Sequence, residues 1–428
     1  MKRFCASGEV AVAGHPTAFA LREIHVLDEG GEFGDPVDVT VADGSIVAVG
    51  AGAASAPGAT DVDCSGLFLM PGVFDCHCHL DFESGSLEEQ MSFDATRWAL
   101  EVARNGRLLL DLGVTSVRDV GASTPGIRDG FAAGAVPGPA LHVSGPPIGQ
   151  TGGHTDGYVP STGAEAISGF MVPDYAGRPP YLVDGPDEMR KAIRLQLRTG
   201  VDWIKVMTTG GLLSSVRDHP LKPELTEEEV AVAVFEAARA GVPVAAHAYG
   251  GEGLDLAVRA GVRSVEHGIF LSEEQAAEMA ERDCWLVPTL VVVHELAELA
   301  AAGELDARSR ERIAEILPDA GRQVAVAKEA GVSIALGTDL LRQGPNLREI
   351  PLLAAAGLTP AEALLAATAR GAALCGVDDR GRIAPGQAFD AIVLDEDPSD
   401  LEVFNRPDGV TGVFQNGNAV KPHARWTA

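Results

Sequence analysis

Leu-Phe-Leu-Met-Pro-Gly-Val-Phe-Asp-Cys-His-Cys-His-Leu, residues 67–80, is an apolar run that ends in two histidines, His77 and His79. Successive side chains of a β-strand point to opposite faces, so these two imidazoles point the same way. Neutral imidazole is a common ligand of zinc and related metal ions. The stretch predicts a buried strand whose end offers two ligands to one ion. A single His-x-His pair is weak evidence, so the rest of the chain has to supply the remaining ligands.

Strand-like and helix-like segments alternate after this point. Strands are predicted at Gly72–His79, Thr115–Val120, Ala140–Ser144, Trp203–Met207, Pro243–His247, Ser264–His267, Trp285–Thr289 and Ser333–Asp339. Helices are predicted at Asp94–Leu112, Pro186–Thr199, Thr226–Ala240, Leu254–Ala260, Ser272–Arg282 and Leu305–Ala330. Eight strands that alternate with helices predict an α/β fold of the (β/α)8 TIM-barrel type. An open doubly wound sheet is the alternative, but no Gly-x-Gly-x-x-Gly follows the first strand.

Short strand-like segments separated by turns lie at both ends of the chain, near residues 18–50 and 391–421. Neither end has enough strands to build a core of its own. We therefore expect a small β-sandwich domain that both termini form together. The predicted division assigns residues 1–68 to its N-terminal part, 69–379 to the barrel and 380–428 to its C-terminal part.

Residues of metal-ligand type stand at the ends of five predicted strands. In such barrels, polar residues at the carboxyl ends of the strands carry the chemistry. Each residue also has a structural alternative, because a histidine can be a hydrogen-bonded core residue, a lysine can extend to the surface and an aspartate can cap a helix. Their joint occurrence favours a metal centre built from His77, His79, Lys205, His247, His267 and Asp339.

Lys205 lies between two apolar residues, Ile204 and Val206. Burial of an ammonium group there is costly and favours the neutral amine. A neutral lysine amine can react with CO2 to give a carbamate, which is an anionic ligand able to bridge two ions. We therefore expect two divalent metal ions with a carboxylated lysine between them. One ion would be held by His77, His79 and Asp339, and the other by His247 and His267.

The overall composition limits the kinds of partner. The formal net charge of −28 argues against nucleic acid and against anionic membrane surfaces. The six cysteines show no disulfide framework, which fits a reducing compartment, and no stretch is long and apolar enough to span a membrane. We expect a cytoplasmic homo-oligomer that acts on a small molecule.

The chain resembles the metal-dependent amidohydrolase superfamily in the motifs Val-Phe-Asp-Cys-His-Cys-His, Trp-Ile-Lys-Val-Met-Thr-Thr-Gly-Gly, His-Ala-Tyr-Gly, Val-Glu-His-Gly and Gly-Thr-Asp. It is most similar to the prolidase-like branch of Xaa-Pro dipeptidases and N-acyl-amino-acid hydrolases. Imidazolonepropionases share the fold but typically hold one metal ion and lack the lysine. The resemblance implies a binuclear, usually zinc, centre with carboxylated Lys205. It also implies that Tyr249 polarises the scissile carbonyl and that His154 faces the substrate.

These features predict a binuclear metal-dependent hydrolase of amide bonds in a dipeptide or an N-acyl amino acid. Asp339 would accept the proton of the attacking water and pass it to the leaving nitrogen. Arg217 and Arg342 lie in loops after strands four and eight, where either could bind a substrate carboxylate. A hydrolase of cyclic amides, carbamates or phosphoesters is the first alternative, because one site supports several chemistries. A non-catalytic scaffold is the second, and the complete ligand set argues against it.

Overall fold

The computed structural model describes residues 18–81, 93–121, 123–156, 158–159, 164–165, 173, 175–213 and 219–426. Its strands are β1 Ala18–Val26, β2 Val37–Ala42, β3 Ser45–Gly50, β4 Thr60–Asp63, β5 Phe68–Pro71, β6 Val73–Cys78, β7 Val114–Asp119, β8 Ala140–Val143, β9 Tyr158–Val159, β10 Ala164–Glu165, β11 Ile204–Met207, β12 Val244–Ala248, β13 Ser264–His267, β14 Trp285–Val287, β15 Ala391–Leu394, β16 Val410–Gln415 and β17 Asn418–Lys421. Its α-helices are α1 Ala95–Leu112, α2 Pro125–Ala132, α3 Pro186–Thr199, α4 Glu227–Arg239, α5 Gly251–Ala260, α6 Glu273–Glu281, α7 Leu290–Ala302, α8 Ala307–Ile316, α9 Arg322–Ala330, α10 Glu349–Ala355, α11 Pro360–Ala366 and α12 Ala369–Cys375.

Parallel strands form the central part of the chain. Strands β6, β7 and β8 pair in one parallel sheet, and β11, β12, β13 and β14 pair in a second. The Asp202 N–H, just before β11, donates to the Val143 carbonyl of β8 at 2.8 Å, and Ile148, beyond β8, forms a parallel bridge with Val206 of β11. On the other side, residues 333–338 bond to both sheets, through a bridge from Ile334 to Leu286 and through the Cys76 N–H, which donates to the Leu336 carbonyl at 2.9 Å. The hydrogen bonds therefore return to the first strand, which is the order that the predicted barrel requires.

Local sequence signals explain several helix ends. Thr226 with Glu229, and Ser272 with Gln275, form capping boxes at the starts of α4 and α6. Gly261 and Gly331 end α5 and α9 with φ of 91° and 81°, a conformation that glycine adopts without a steric cost. Gly261 thereby leads the chain into β13, and Gly331 leads it into residues 333–338, which bond to the neighbouring strands.

The prediction of one helix over Leu305–Ala330 is wrong. Helix α8 ends at Ile316, a 3-10 turn follows at Leu317–Asp319, and α9 begins only after Gly321, whose φ is 97°. Pro318 within the turn cannot continue an α-helical hydrogen-bond ladder. Helix α7 was not predicted, because its first turn contains the β-branched run 291–293, which favours a strand.

Strands from both chain ends form a separate sheet with the order β17-β16-β15-β5-β1-β2-β3, and β4 pairs with β1. Strand β15 pairs antiparallel with β5, so the C-terminal strands join the N-terminal ones directly. Phe19 from the N-terminal half packs against Phe389 and Phe414, at ring-centroid distances of 5.5 and 5.8 Å. Both ends of the chain therefore build the core of this sheet. Within the described ranges, no helix has the length and apolar character that a membrane crossing requires.

Candidate metal centre

His77, His79 and Asp339 meet beyond the carboxyl ends of the parallel strands. His79 Nε2 lies 3.1 Å and His77 Nε2 lies 3.4 Å from one oxygen, Asp339 Oδ1. Ligands that are about 2.0–2.1 Å from a tetrahedral zinc ion lie roughly 3.3–3.4 Å from one another. The three donor atoms all lie within 4.8 Å of each other, so they fit one metal ion. Although burial opposes ionisation, the two imidazoles hold the pKa of Asp339 well below its ordinary value.

Asp75 fixes the segment that carries Asp339. Its carboxylate accepts hydrogen bonds from the Thr338 N–H at 3.0 Å, the Thr338 hydroxyl at 2.6 Å and the Asn346 amide at 3.1 Å. The Asp339 N–H in turn donates to the His77 carbonyl at 2.7 Å. Asp339 adopts a φ of 55°, in the left-handed region that non-glycine residues rarely occupy. Such strain concentrates at functional sites and persists because the surrounding bonds hold it.

Lys205 is buried beside this group, with Nζ 3.5 Å from His77 Nε2. Burial lowers the pKa of Lys205 to about 8, because the charged ammonium loses its hydration. Near physiological pH, a substantial fraction of Lys205 is therefore the neutral amine. The neutral amine is the form that reacts with CO2. The position and the protonation state both fit the predicted bridging role.

His247 and His267 lie next to this group. Their ring centroids are 4.7 Å apart, and the His267 ring lies 5.0 Å from the His77 ring. His247 Nε2 bonds to the Gly210 carbonyl at 3.0 Å, and His267 Nδ1 bonds to the Thr289 hydroxyl oxygen at 2.7 Å. Burial lowers the pKa of both histidines well below the ordinary value, so both are neutral. With one nitrogen bonded, each ring keeps the other nitrogen available to a metal ion.

The Thr289 hydroxyl bonds to His267 and therefore does not cap α7, the helix that follows it. Thr289 has a φ of 50°, and its side chain makes no capping bond to α7. Glu349 takes that role from a distant part of the chain, accepting the N–H groups of Leu290 at 2.9 Å and Val291 at 2.7 Å. The position of Thr289, the partner of His267, thus depends on the buried Glu349.

A buried ion pair orients His77. Glu266 Oε2 lies 2.7 Å from His77 Nδ1, which leaves His77 Nε2 facing Asp339 and Lys205. The Arg118 guanidinium donates to both oxygens of Glu266 at 2.9 Å, and both side chains are completely buried. Although burial opposes ionisation, Arg118 and His77 hold the pKa of Glu266 well below its ordinary value.

Sequence reasoning missed this ion pair and Asp75. Glu266 stands inside the quoted Val-Glu-His-Gly motif, and Arg118 stands inside a predicted buried strand. Charged residues are almost never fully buried unless they are paired. A charge within an apolar strand was therefore the available signal.

Tyr249 and His154 flank the second group of histidines. The Tyr249 ring stacks on the His267 ring with centroids 5.1 Å apart and lies 5.0 Å from the His247 ring. The His154 ring stacks on the His247 ring, with centroids 4.5 Å apart and an interplanar angle of 24°. The structure thus brings both residues into contact with His247 and His267.

Arg342 does not join this group. Arg342 is 46% exposed and bonds to Glu304 at 3.1 Å, on the surface. Arg217 lies outside the described residues. Their assignment to a substrate carboxylate stays a prediction.

Comparison with known proteins agrees with the resemblance seen in the sequence. The chain matches the amidohydrolase family over residues 68–420. It is 35% identical over 366 residues to the ochratoxinase of Aspergillus niger, covering 82% of this chain and 75% of that one. A prolidase complexed with N-methylphosphonate-L-proline superimposes with a TM-score of 0.87 at 30% identity, covering 95% of this chain and 100% of that one. A Xaa-Pro dipeptidase with methionine bound in its active site gives a TM-score of 0.84 at 27% identity, with coverage of 95% and 100%. The protein therefore belongs to the amidohydrolase family and is a hydrolase of carbon–nitrogen bonds.

Proposed function

We propose that this protein is a binuclear metal-dependent hydrolase that cleaves the amide bond of a dipeptide, such as an Xaa-Pro dipeptide, or of an N-acyl amino acid. The observation that carries the proposal is the convergence of six ligand-type side chains at the ends of parallel strands. In His77 and His267, Nδ1 is bonded to another protein group, and in His247, Nε2 is bonded in the same way. Such partners select the tautomer and the orientation that a metal ligand needs.

The proposed ligand set divides between two ions. His77, His79 and Asp339 would hold one ion, and His247 and His267 the other, with carboxylated Lys205 shared between them. When bound, the ions supply a lowered pKa for the attacking water and polarisation of the scissile carbonyl. Zinc is the metal that we propose, because imidazole with carboxylate oxygens is one of its preferred donor sets.

Asp339, Tyr249 and His154 also have proposed roles in proton transfer or substrate binding. Asp339 Oδ1 faces His77 and His79, whereas Oδ2 lies 4.0 Å from His267 Nδ1 and so extends toward the second group. From there Asp339 would accept the proton of the attacking water and deliver it to the leaving nitrogen. Tyr249 would donate its hydroxyl hydrogen to the carbonyl oxygen as charge develops. His154 would bind the carboxylate of the leaving amino acid by a charge-assisted hydrogen bond.

The related proteins support an amide substrate that ends in a carboxylate. The prolidase was crystallised with a molecule that contains L-proline, and the dipeptidase with methionine. Both molecules carry an amino-acid carboxylate. By similarity, the same group on a substrate of this chain would lie beside Tyr249 and His154.

The proposal extends to architecture and assembly. We propose a (β/α)8 barrel for the central segment and a small β-sandwich for the two ends, divided at residues 1–68, 69–379 and 380–428. The ring of strand-to-strand bonds and the mixed terminal sheet support this division. A homo-oligomer remains part of the proposal.

A substrate panel with metal analysis tests the proposed function. The panel contains Xaa-Pro dipeptides, N-acetyl amino acids, the same compounds amidated at the carboxyl end, cyclic amides, carbamates and phosphoesters. We expect two ions per chain and cleavage of the free acids with a kcat/KM at least about 10²-fold above that of the amidated forms. Equal cleavage of free and amidated substrates, or cleavage of cyclic amides or carbamates alone, would refute the proposed substrate class.

A further inference from the structure

The segment that follows β11 contacts both residues that we assign to the substrate, His154 and Tyr249. We propose that Gly211 and Glu224 in this segment are positioning residues that fix His154 against His247, and that this placement sets the requirement for a free substrate carboxylate. The inference rests on the proposed function, because it assigns the carboxylate to His154. It concerns two residues that hold no ion and take no part in bond breaking.

Gly211 leaves the space that the His154 ring fills. A Cβ atom on Gly211 would lie 2.0 Å from Cε1, 2.3 Å from Nδ1 and 2.8 Å from Nε2 of His154. The ring also stacks on His247 at 4.5 Å. The imidazole is thus bounded by the Gly211 backbone and by a proposed metal ligand, and any side chain at residue 211 would displace it.

Glu224 holds the backbone of the same residue. Its Oε2 accepts the His154 N–H at 2.9 Å, and the glutamate is buried. A Cβ atom on Gly153 would lie 2.5 Å from this oxygen, so the close approach also depends on a glycine in the loop. The Glu224 N–H in turn donates to the Thr208 carbonyl at 3.1 Å, which ties the anchor to the end of β11.

The same segment fixes the other two groups that a substrate would meet. The Thr209 hydroxyl accepts the Tyr249 N–H at 3.1 Å, and the Gly210 carbonyl lies 3.0 Å from His247 Nε2. Consecutive residues after β11 therefore set the carbonyl-polarising residue and one metal ligand, and Gly211 with Glu224 sets the carboxylate-binding residue. The relative positions of these three groups therefore depend on residues 209–211 and on Glu224.

Gly211→Ala would move the His154 ring but leave the imidazole itself in the protein. It therefore tests the position of the ring apart from its identity. Ordinary van der Waals contact begins near 3.4 Å, so the nearest ring atom would have to move about 1.4 Å from its present 2.0 Å distance. The φ of Gly211 is not in the left-handed region, so alanine meets no backbone conflict there. The atoms in conflict belong to the far end of a side chain that can turn away. A misplacement of about 1 Å can cost about 10²-fold in rate.

The experiment measures kcat/KM for the best Xaa-Pro dipeptide or N-acetyl amino acid and for its amidated form. The proteins are wild type, Gly211→Ala, His154→Ala and the double variant. We expect each single variant to lose about 10²-fold on the free acid, to lose little on the amidated form and to keep the wild-type metal content. The double variant should also lose only about 10²-fold, because Gly211 acts through His154.

Three results would overturn the inference. They are a Gly211→Ala protein that keeps wild-type discrimination, a double variant that loses about 10⁴-fold because the two effects multiply, or a Gly211→Ala protein that loses metal. If wild type itself cleaves both substrate forms equally, the proposed substrate class fails first, and the wild-type measurement alone shows this. Gly130→Ala is the matched control, since a Cβ there meets nothing within 4 Å, and it should behave as wild type.

Glu224 provides the second test if Gly211→Ala does not fold. Glu224→Gln keeps a side-chain oxygen that can accept the His154 N–H, whereas Glu224→Ala removes it. We expect Glu224→Gln to retain most discrimination between the two substrate forms and Glu224→Ala to lose it at unchanged metal content. Equal discrimination in both variants would overturn the role of Glu224.

Discussion

Replacing Arg118 by methionine tests the ion pair that orients His77. The substitution keeps an apolar chain of similar length but removes the guanidinium, whose Nη2 donates to both oxygens of Glu266 at 2.9 Å. Both partners are completely buried, and removing one partner of a buried pair costs about 3–5 kcal/mol of unfolding free energy because the other charge stays unpaired. We expect a loss of this size in metal-free Arg118→Met at pH 7.

The size of the loss should depend on pH. In wild type the pKa of Glu266 lies below its ordinary value of 4.5, so between pH 5.5 and 7 this carboxylate is ionised in both the folded and the unfolded chain. In Arg118→Met, burial would dominate and raise the folded pKa above the unfolded one. Such a group stabilises the fold at low pH, and this contribution is lost as the pH rises toward the folded pKa, by about 1.4 kcal/mol per pH unit. The deficit should therefore shrink by roughly 2 kcal/mol on going from pH 7 to pH 5.5.

Urea unfolding followed by circular dichroism, with a chelator present, measures these free energies. The double variant Arg118→Met with Glu266→Gln should recover about 2 kcal/mol relative to Arg118→Met, because no unpaired charge remains. The control is Arg107→Met, which removes an exposed pair with Asp111 at 2.8 Å and should change stability by no more than about 0.5 kcal/mol. A deficit for Arg118→Met that does not change with pH, together with additive effects in the double variant, would refute the reasoning.

Three further predictions concern the centre and its support. Lys205→Ala should lower the metal content below two ions per chain and remove most activity, with partial rescue by a short carboxylic acid; elemental analysis that finds one ion in metal-replete wild type would contradict this. Tyr249→Phe should lower kcat by roughly 10²–10³ at unchanged metal content, and steady-state kinetics with a near-normal kcat would leave Tyr249 only a packing role. Burial raises the pKa of Glu349 to about 8, above the ordinary 4.5, so its contribution to stability is present at low pH and is lost as the pH approaches 8. Relative to Glu349→Gln, wild type should lose about 1.4 kcal/mol per pH unit between pH 5.5 and 8 in urea unfolding, and equal pH slopes would argue against the raised pKa.

The sequence alone was sufficient to find the side chains that meet at the centre. Strand alternation is a local property, and it predicted that His77 and His79 share a face. The carboxyl ends of parallel strands meet at one end of the fold, so Lys205, His247 and Asp339 could be placed together before any distance was known. The helix starts at Thr226 and Ser272 were predictable for the same reason, since a capping box involves residues three apart.

Only the tertiary structure decided how these side chains are held. Arg118 and Glu266 are 148 residues apart in the chain, and no local pattern indicates that they pair. Gly211 and His154 lie in different loops, yet the Gly211 backbone approaches the His154 ring. Glu349 caps a helix that begins 59 residues earlier. Periodicity and capping act between near neighbours in the chain, whereas burial and hydrogen-bond satisfaction depend on which distant residues the fold brings into contact. Residue types suited to metal binding could therefore be recognised in the sequence, but their orientation and their supporting contacts could not.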